Sequence, residues 1–89
     1  MMIQDEPKLL IKSRIFEKHA ILDEDVEEAM KNMIKFQQRN SGAFIAVGFD
    51  RSGRQLELIY DYDAENNSFT VFHAMPATKK FLRELGLGD

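Results

Sequence analysis

Apolar residues recur along this chain with two different periods, and the change of period divides it. Leu9, Leu10 and Ile11 form a short apolar run, followed by Ile15, Phe16 and Ala20. This segment admits two readings. Residues 13 to 19 make a short helix with Ile15, Phe16 and His19 on one side, or residues 8 to 12 first add an edge strand. The next helix is better marked. Asp23 suits an N-cap, and Glu24 and Asp25 follow where carboxylates meet the positive end of the helix dipole. Val26, Ala29, Met30, Met33 and Phe36 or Ile34 then repeat at steps of three and four, with Glu27, Glu28, Lys31 and Lys35 on the polar side. Asn40, Ser41 and Gly42 end this predicted helix.

Beyond Gly42 the period becomes that of strands. Ala43 to Phe49 is nearly all apolar, as a strand covered on both faces would be. Asp50 to Arg54 reads as a hairpin loop, with Gly53 supplying a positive φ. Leu56, Leu58, Tyr60 and Tyr62 alternate with Gln55, Glu57, Ile59 and Asp61; a turn at residues 64 to 67 follows, then a third strand from Phe69 to Ala74. Pro76 breaks the pattern, and a helix runs from Ala77 to Leu85 with Gly86 as its stop. The predicted architecture is α+β in two layers: N-terminal helices, a three-stranded antiparallel meander, and a short C-terminal helix.

Composition narrows the class. Eighty-nine residues make one domain with one modest core, residues 1 to 7 being expected to be loose. The hydrophobic share of 44% and charged share of 30% are those of a globular chain rather than a disordered one. With no cysteine there is no disulfide and no thiolate metal site, which fits a reducing cytoplasm. No apolar run has the length of a signal peptide or a membrane span. The net charge of −3 argues against nucleic-acid binding by the whole surface. The charge is unevenly spread, however. Five acids fall between Asp23 and Glu28, while Lys79, Lys80 and Arg83 cluster near the end and Arg51 and Arg54 flank one turn.

Three segments resemble a known family. Phe16 to Ile21 with the acidic helix start after it is similar to the opening of BrnT-type toxins of the RelE superfamily. Ile45 to Asp50 with Gly53, Arg54, Gln55 and Leu56 resembles their hairpin, and His73 to Lys80 resembles their closing segment. The order and spacing hold over about three quarters of the chain. The resemblance implies a RelE-like fold, cleavage of messenger RNA, and neutralisation by a cognate antitoxin protein, through which oligomers would form. Lys18, His19, Arg54, Lys79 and Lys80 stand at the family's polar motif positions. The chain departs from the pattern at Met75, where the family has an arginine, and at Ala20, where it has a glycine.

The residues themselves offer matching chemistry. RNA cleavage without a metal or cofactor needs a proton carrier and cations around the phosphorane. His73, Glu57 and Tyr60 are the candidate proton carriers; Arg51, Arg54, Lys79 and Lys80, with Lys18 and His19 from the resemblance, are the candidate RNA-binding residues. Each has a plainer reading. His73 sits between Phe72 and Ala74 as a half-buried structural histidine does; His19 shares a face with Ile15 and Phe16; the tyrosines suit a core with wet tips; Glu57 and the cations are ordinary solvated decoration. Two histidines without acids at ligand spacing make a poor metal site. Two functions follow. One is a toxin-like, metal-independent endoribonuclease in the cytoplasm, and the other a non-catalytic relative that binds a protein partner. The first requires Arg51, Arg54 and the final helix to converge beside His73.

Overall fold

A computed structural model describes residues 6–12 and 21–88. In chain order the elements are β1 (Lys8–Ile11), α1 (Asp23–Lys31), β2 (Met33–Gln38), β3 (Phe44–Phe49), β4 (Gln55–Asp63), β5 (Ser68–Pro76) and α2 (Lys79–Glu84). The strands form one five-stranded sheet in the order β1-β5-β4-β3-β2. β2 to β5 pair antiparallel in sequence order, and β1 joins the β5 edge in parallel. Residues 13–20, on which the first predicted helix falls, lie outside the described residues.

This sheet corrects the predicted RelE-like, two-layer architecture of N-terminal helices and a three-stranded meander. The three strands of the meander are the inner part of a five-stranded mixed sheet. The segment 8 to 12 adopts the edge-strand alternative. The helix predicted to run from Asp23 toward Asn40 stops at Lys31, and the chain pairs with β3 from Met33 onward. The cause lies in a β-bulge. Met33 pairs with Gly48 and Lys35 with Val47, so Ile34 is the extra residue. The bulge brings Met33 and Phe36, three apart, onto one sheet face, where a regular strand would set them opposite. A bulged strand therefore reproduced the helical step of three that the sequence displayed.

The helices lie on opposite faces of the sheet, not in one layer. On the α1 face, Ile21, Val26 and Ala29 bury against Ala46, Leu56, Leu58, Tyr60, Val71 and Ala74. Gly48 makes that approach possible: an added Cβ would run into the carbonyl oxygen of Ala29 and lie 3.2 Å from that of Asn32. On the other face, Phe81 and Leu85 of α2 bury with Ile45 and Val47, and Ile59 and Leu82 pack against them. A six-residue helix has no stability of its own, and burial of these two side chains, each about 1.5–3 kcal/mol, holds it down. Its end is a Schellman turn: Leu87 N–H donates to the carbonyl of Leu82 and Gly86 N–H to that of Arg83, with Gly86 at φ 74°.

Asp23 is the first residue of α1 rather than its cap, a position held by Leu22. The N–H of Leu22 donates to the Asp25 carboxylate at 3.3 Å, and Arg51 Nε donates to the same group at 3.0 Å. One acid thus ties the helix start to the β3–β4 hairpin. A second bulge separates Ile59 from Tyr60: their partners are His73 and Val71, so Phe72 is the extra residue. Among the described residues no helix is long and apolar enough to cross a membrane.

Candidate functional site

The register of β4 and β5 sets two titratable side chains beside each other. Ile59 pairs with His73 and Glu57 with Met75. Positions 57 and 73 are therefore diagonal neighbours on one face, the face that α2 covers. Glu57 Oε2 lies 2.8 Å from His73 Nε2. Glu57 Oε1 accepts both from the backbone N–H of Thr78 at 2.9 Å and from its hydroxyl at 2.7 Å. Thr78 is the N-cap of α2, its Oγ1 accepting from Phe81 N–H at 3.3 Å. A single carboxylate thus joins β4, β5 and the start of α2.

The burial of the two partners differs. The Glu57 side chain is 7% exposed and that of His73 is 30% exposed. A carboxylate can sit inside a protein only when its oxygens are occupied, as both are here. Glu57 accordingly acts on the imidazole, fixing its orientation, while His73 reaches the solvent.

Above this pair lies an open groove of about 210 Å³, lined by Glu57, His73 and Thr78 together with Arg39, Lys80 and Glu84. Phe81 forms part of its wall. The His73 ring stacks on it at 6.4 Å between centroids, and the Arg39 guanidinium sits 6.0 Å from the same ring. Arg39 also makes a two-point contact with Glu84, Nε to Oε2 at 2.9 Å and Nη2 to Oε1 at 3.0 Å. That hydrogen bonding holds the Glu84 carboxyl below its ordinary range and clamps the last turn of α2 to the turn after β2. The groove therefore combines an imidazole oriented by a carboxylate with a lysine and an Arg39–Glu84 ion pair, an arrangement in which a proton can be moved beside one cation.

The other candidate residues are placed elsewhere. Arg51 is engaged by Asp25 on the α1 side of the molecule. Arg54 folds back onto Asp50, Nε to Oδ2 at 2.9 Å. The Asp50 side chain is fully buried. Burial pushes its carboxyl up, but hydrogen bonds from the Arg54 backbone and guanidinium and from Ser52 N–H outweigh this and hold it below the usual range. Both hairpin arginines thus have structural partners. Tyr60 lies on the opposite sheet face, stacked on Phe44 at 5.3 Å, and burial raises its pKa, so it keeps its proton. Lys79 borders a separate hollow with Leu82, Arg83 and Gly88. Lys18 and His19 lie outside the described residues. Of the nine candidates, then, the groove brings together Glu57, His73 and Lys80. The convergence of Arg51 and Arg54 on His73 does not occur.

Sequence reasoning missed Arg39, Thr78 and Glu84 as parts of this site. The signal for Thr78 was present, since a threonine shortly after a proline and just ahead of an apolar-periodic stretch has the form of a helix N-cap. Arg39 was hidden behind the misread helix. Among the described residues, no three histidine or acidic side chains gather as metal ligands would. Comparison with family models, curated proteins and solved structures gives no match.

Proposed function

We propose that the chain cleaves RNA without a metal, the activity its resemblance to BrnT-type toxins implies, using His73 as the proton carrier. The observation that carries this reading is the 2.8 Å contact between Glu57 and His73 in a groove that also holds Lys80. It differs from the form expected from sequence, because Arg51 and Arg54 stay with their acids and Lys80 is the expected cation that lines the groove. The three-segment resemblance supports it from the side of the sequence.

In this mechanism the imidazole accepts the proton of a ribose 2′-hydroxyl. The 2′-oxygen forms a bond to phosphorus, and Lys80 offsets the charge of the phosphorane. The bond to the 5′-oxygen breaks, and the imidazolium, stabilised by Glu57, returns the proton to that leaving oxygen. The products are a 2′,3′-cyclic phosphate and a free 5′-hydroxyl. The test is incubation of the purified protein with RNA oligonucleotides in excess chelator, with analysis of product ends. Cyclic phosphate ends formed by the parent and lost in His73→Asn support the reading. Cleavage that survives His73→Asn removes it.

A second reading is a non-catalytic binding module of the same class, neutral toward RNA. Met75 in place of the family's arginine favours it, as does the engagement of Arg51 and Arg54 in structural ion pairs. Normal bacterial growth during overexpression, together with intact RNA in the cleavage assay, would select this alternative.

A further inference from the structure

The Arg39–Glu84 pair in the His73 groove is built differently from the other two arginine pairs. Asp25 and Asp50 each accept a backbone N–H besides their arginine. Among the described residues, the Glu84 carboxylate accepts hydrogen bonds from Arg39 alone. Both side chains are open to water, 38% exposed for Arg39 and 34% for Glu84. An ion pair this exposed is weak, because water and salt compete for both partners.

The two ends of the pair are also held unequally. The Arg39 guanidinium lies 6.0 Å from the ring of Phe81, a buried side chain that faces it whether or not Glu84 is there. Glu84 is the last residue of α2. Its carboxyl is held low first by the hydrogen bond from Arg39 and more weakly by the charge of Lys80, one helical turn earlier in the same groove. Two cations thus converge on one displaceable carboxylate. With Glu84 turned outward, Arg39 and Lys80 would face Glu57, whose oxygens are engaged by His73 and Thr78. A guanidinium fork that grips a carboxylate at two points grips phosphate oxygens in the same way.

We infer that Arg39 and Lys80 form a binding site for a phosphate group, and that Glu84 occupies this site as an internal competitor which the phosphate must displace. The choice of phosphate as ligand rests on the ribonuclease reading; the displacement rests on the geometry of the pair.

The test titrates the 13C,15N-labelled full chain, at constant ionic strength, with inorganic phosphate and separately with a DNA oligonucleotide, which has phosphodiesters but no 2′-hydroxyl to react. In the parent, the Arg39 Nε–H signal should shift saturably, and the Glu84 carboxyl signal should move with it as that group loses its arginine. Glu84→Gln, its fold checked by circular dichroism, should bind about tenfold more tightly than the parent, since one competing charge is gone. Arg39→Gln should lose the binding in either background. Saturation by the oligonucleotide points to a nucleic-acid backbone as the source, and saturation by inorganic phosphate alone to a free phosphate; either supports the site. No saturable binding, equal affinity in the parent and Glu84→Gln, binding that survives Arg39→Gln, or a Glu84 signal unmoved at saturation would overturn the inference. The ribonuclease reading is scored apart from it. Tighter binding in Glu84→Gln with RNA left intact keeps the site and rejects the ribonuclease, whereas RNA cleavage with equal affinity in the two proteins rejects the site alone.

Discussion

Replacing Glu57 by alanine should destabilise the fold as well as alter the site. The residue accepts hydrogen bonds from Thr78 N–H and Thr78 Oγ1 and lies 2.8 Å from His73 Nε2. A hydrogen bond of this kind contributes about 1 kcal/mol net, and a buried group left without its partner costs about 1–3 kcal/mol. Thr78 is exposed, so water recovers part of what it loses. The sum is a loss of about 2–3 kcal/mol for Glu57→Ala. In a domain of this size each kcal/mol moves the melting midpoint by about 4–8 °C, so a fall of about 8–24 °C is expected. Glu57→Gln keeps an oxygen for Thr78 and a polar group facing His73, and should lose only about 1 kcal/mol. Urea and thermal unfolding followed by circular dichroism measure both variants. If Glu57→Ala unfolds within about 0.5 kcal/mol of the parent, as an ordinary surface substitution does, the carboxylate is not joining β4, β5 and α2.

Three further outcomes follow from other parts of the fold. Gly48→Ala places a methyl against the Ala29 carbonyl, and because the obstacle is backbone, α1 must move; a loss of at least about 1–3 kcal/mol in urea unfolding is expected. The folded-state pKa of Glu84 lies below its unfolded value because Arg39 hydrogen-bonds it. Its contribution is therefore fully present above the unfolded pKa of about 4.3 and is lost as pH falls through the folded one. Asp50 and Asp63 have the same sign, so the melting midpoint should decline below about pH 5. Arg39→Gln should flatten part of that decline, by no more than about 1 kcal/mol since both partners are about a third exposed.

What could be read from the sequence depended on whether local period and strand pairing agreed. From Phe44 to Ala74 they did: alternation, a Gly53 hairpin and a polar turn at residues 64 to 67 specify consecutive antiparallel strands, although β5 runs on to Pro76 where a break was expected. At the N-terminal side they conflicted. β1 is four residues long and pairs with β5, far along the chain, so the apolar run from Leu9 to Ile11 offered a strand only as one of two readings. β2 shows the reverse failure. Its bulge at Ile34 sets Met33 and Phe36 on one face, and the helix before it supplies residues in matching phase, so a single apolar stripe runs through two different elements.

The site was hidden by a feature of the same kind. Glu57 and His73 could not be paired from the hairpin alone, because its register, continued past Tyr60 and Val71, would set His73 opposite Leu58 on the other face, and the Phe72 bulge is what brings it beside Ile59 and diagonal to Glu57. Arg39 could not be placed either, since a residue expected near a helix end gives no reason to look for it across the sheet from His73. The hairpin arginines failed for a different reason, which is electrostatic. Each stands within reach of an acid that also organises the backbone: Asp50 accepts from Ser52 N–H and Arg54 N–H, and Asp25 accepts from Leu22 N–H. Such a carboxylate is held in place whether or not a cation is near, so the arginine that approaches it settles there at little further ordering cost. Charge counted along a sequence therefore overstates the cations free to meet a substrate, and in this chain the difference removes Arg51 and Arg54 from the groove while leaving Lys80 in it.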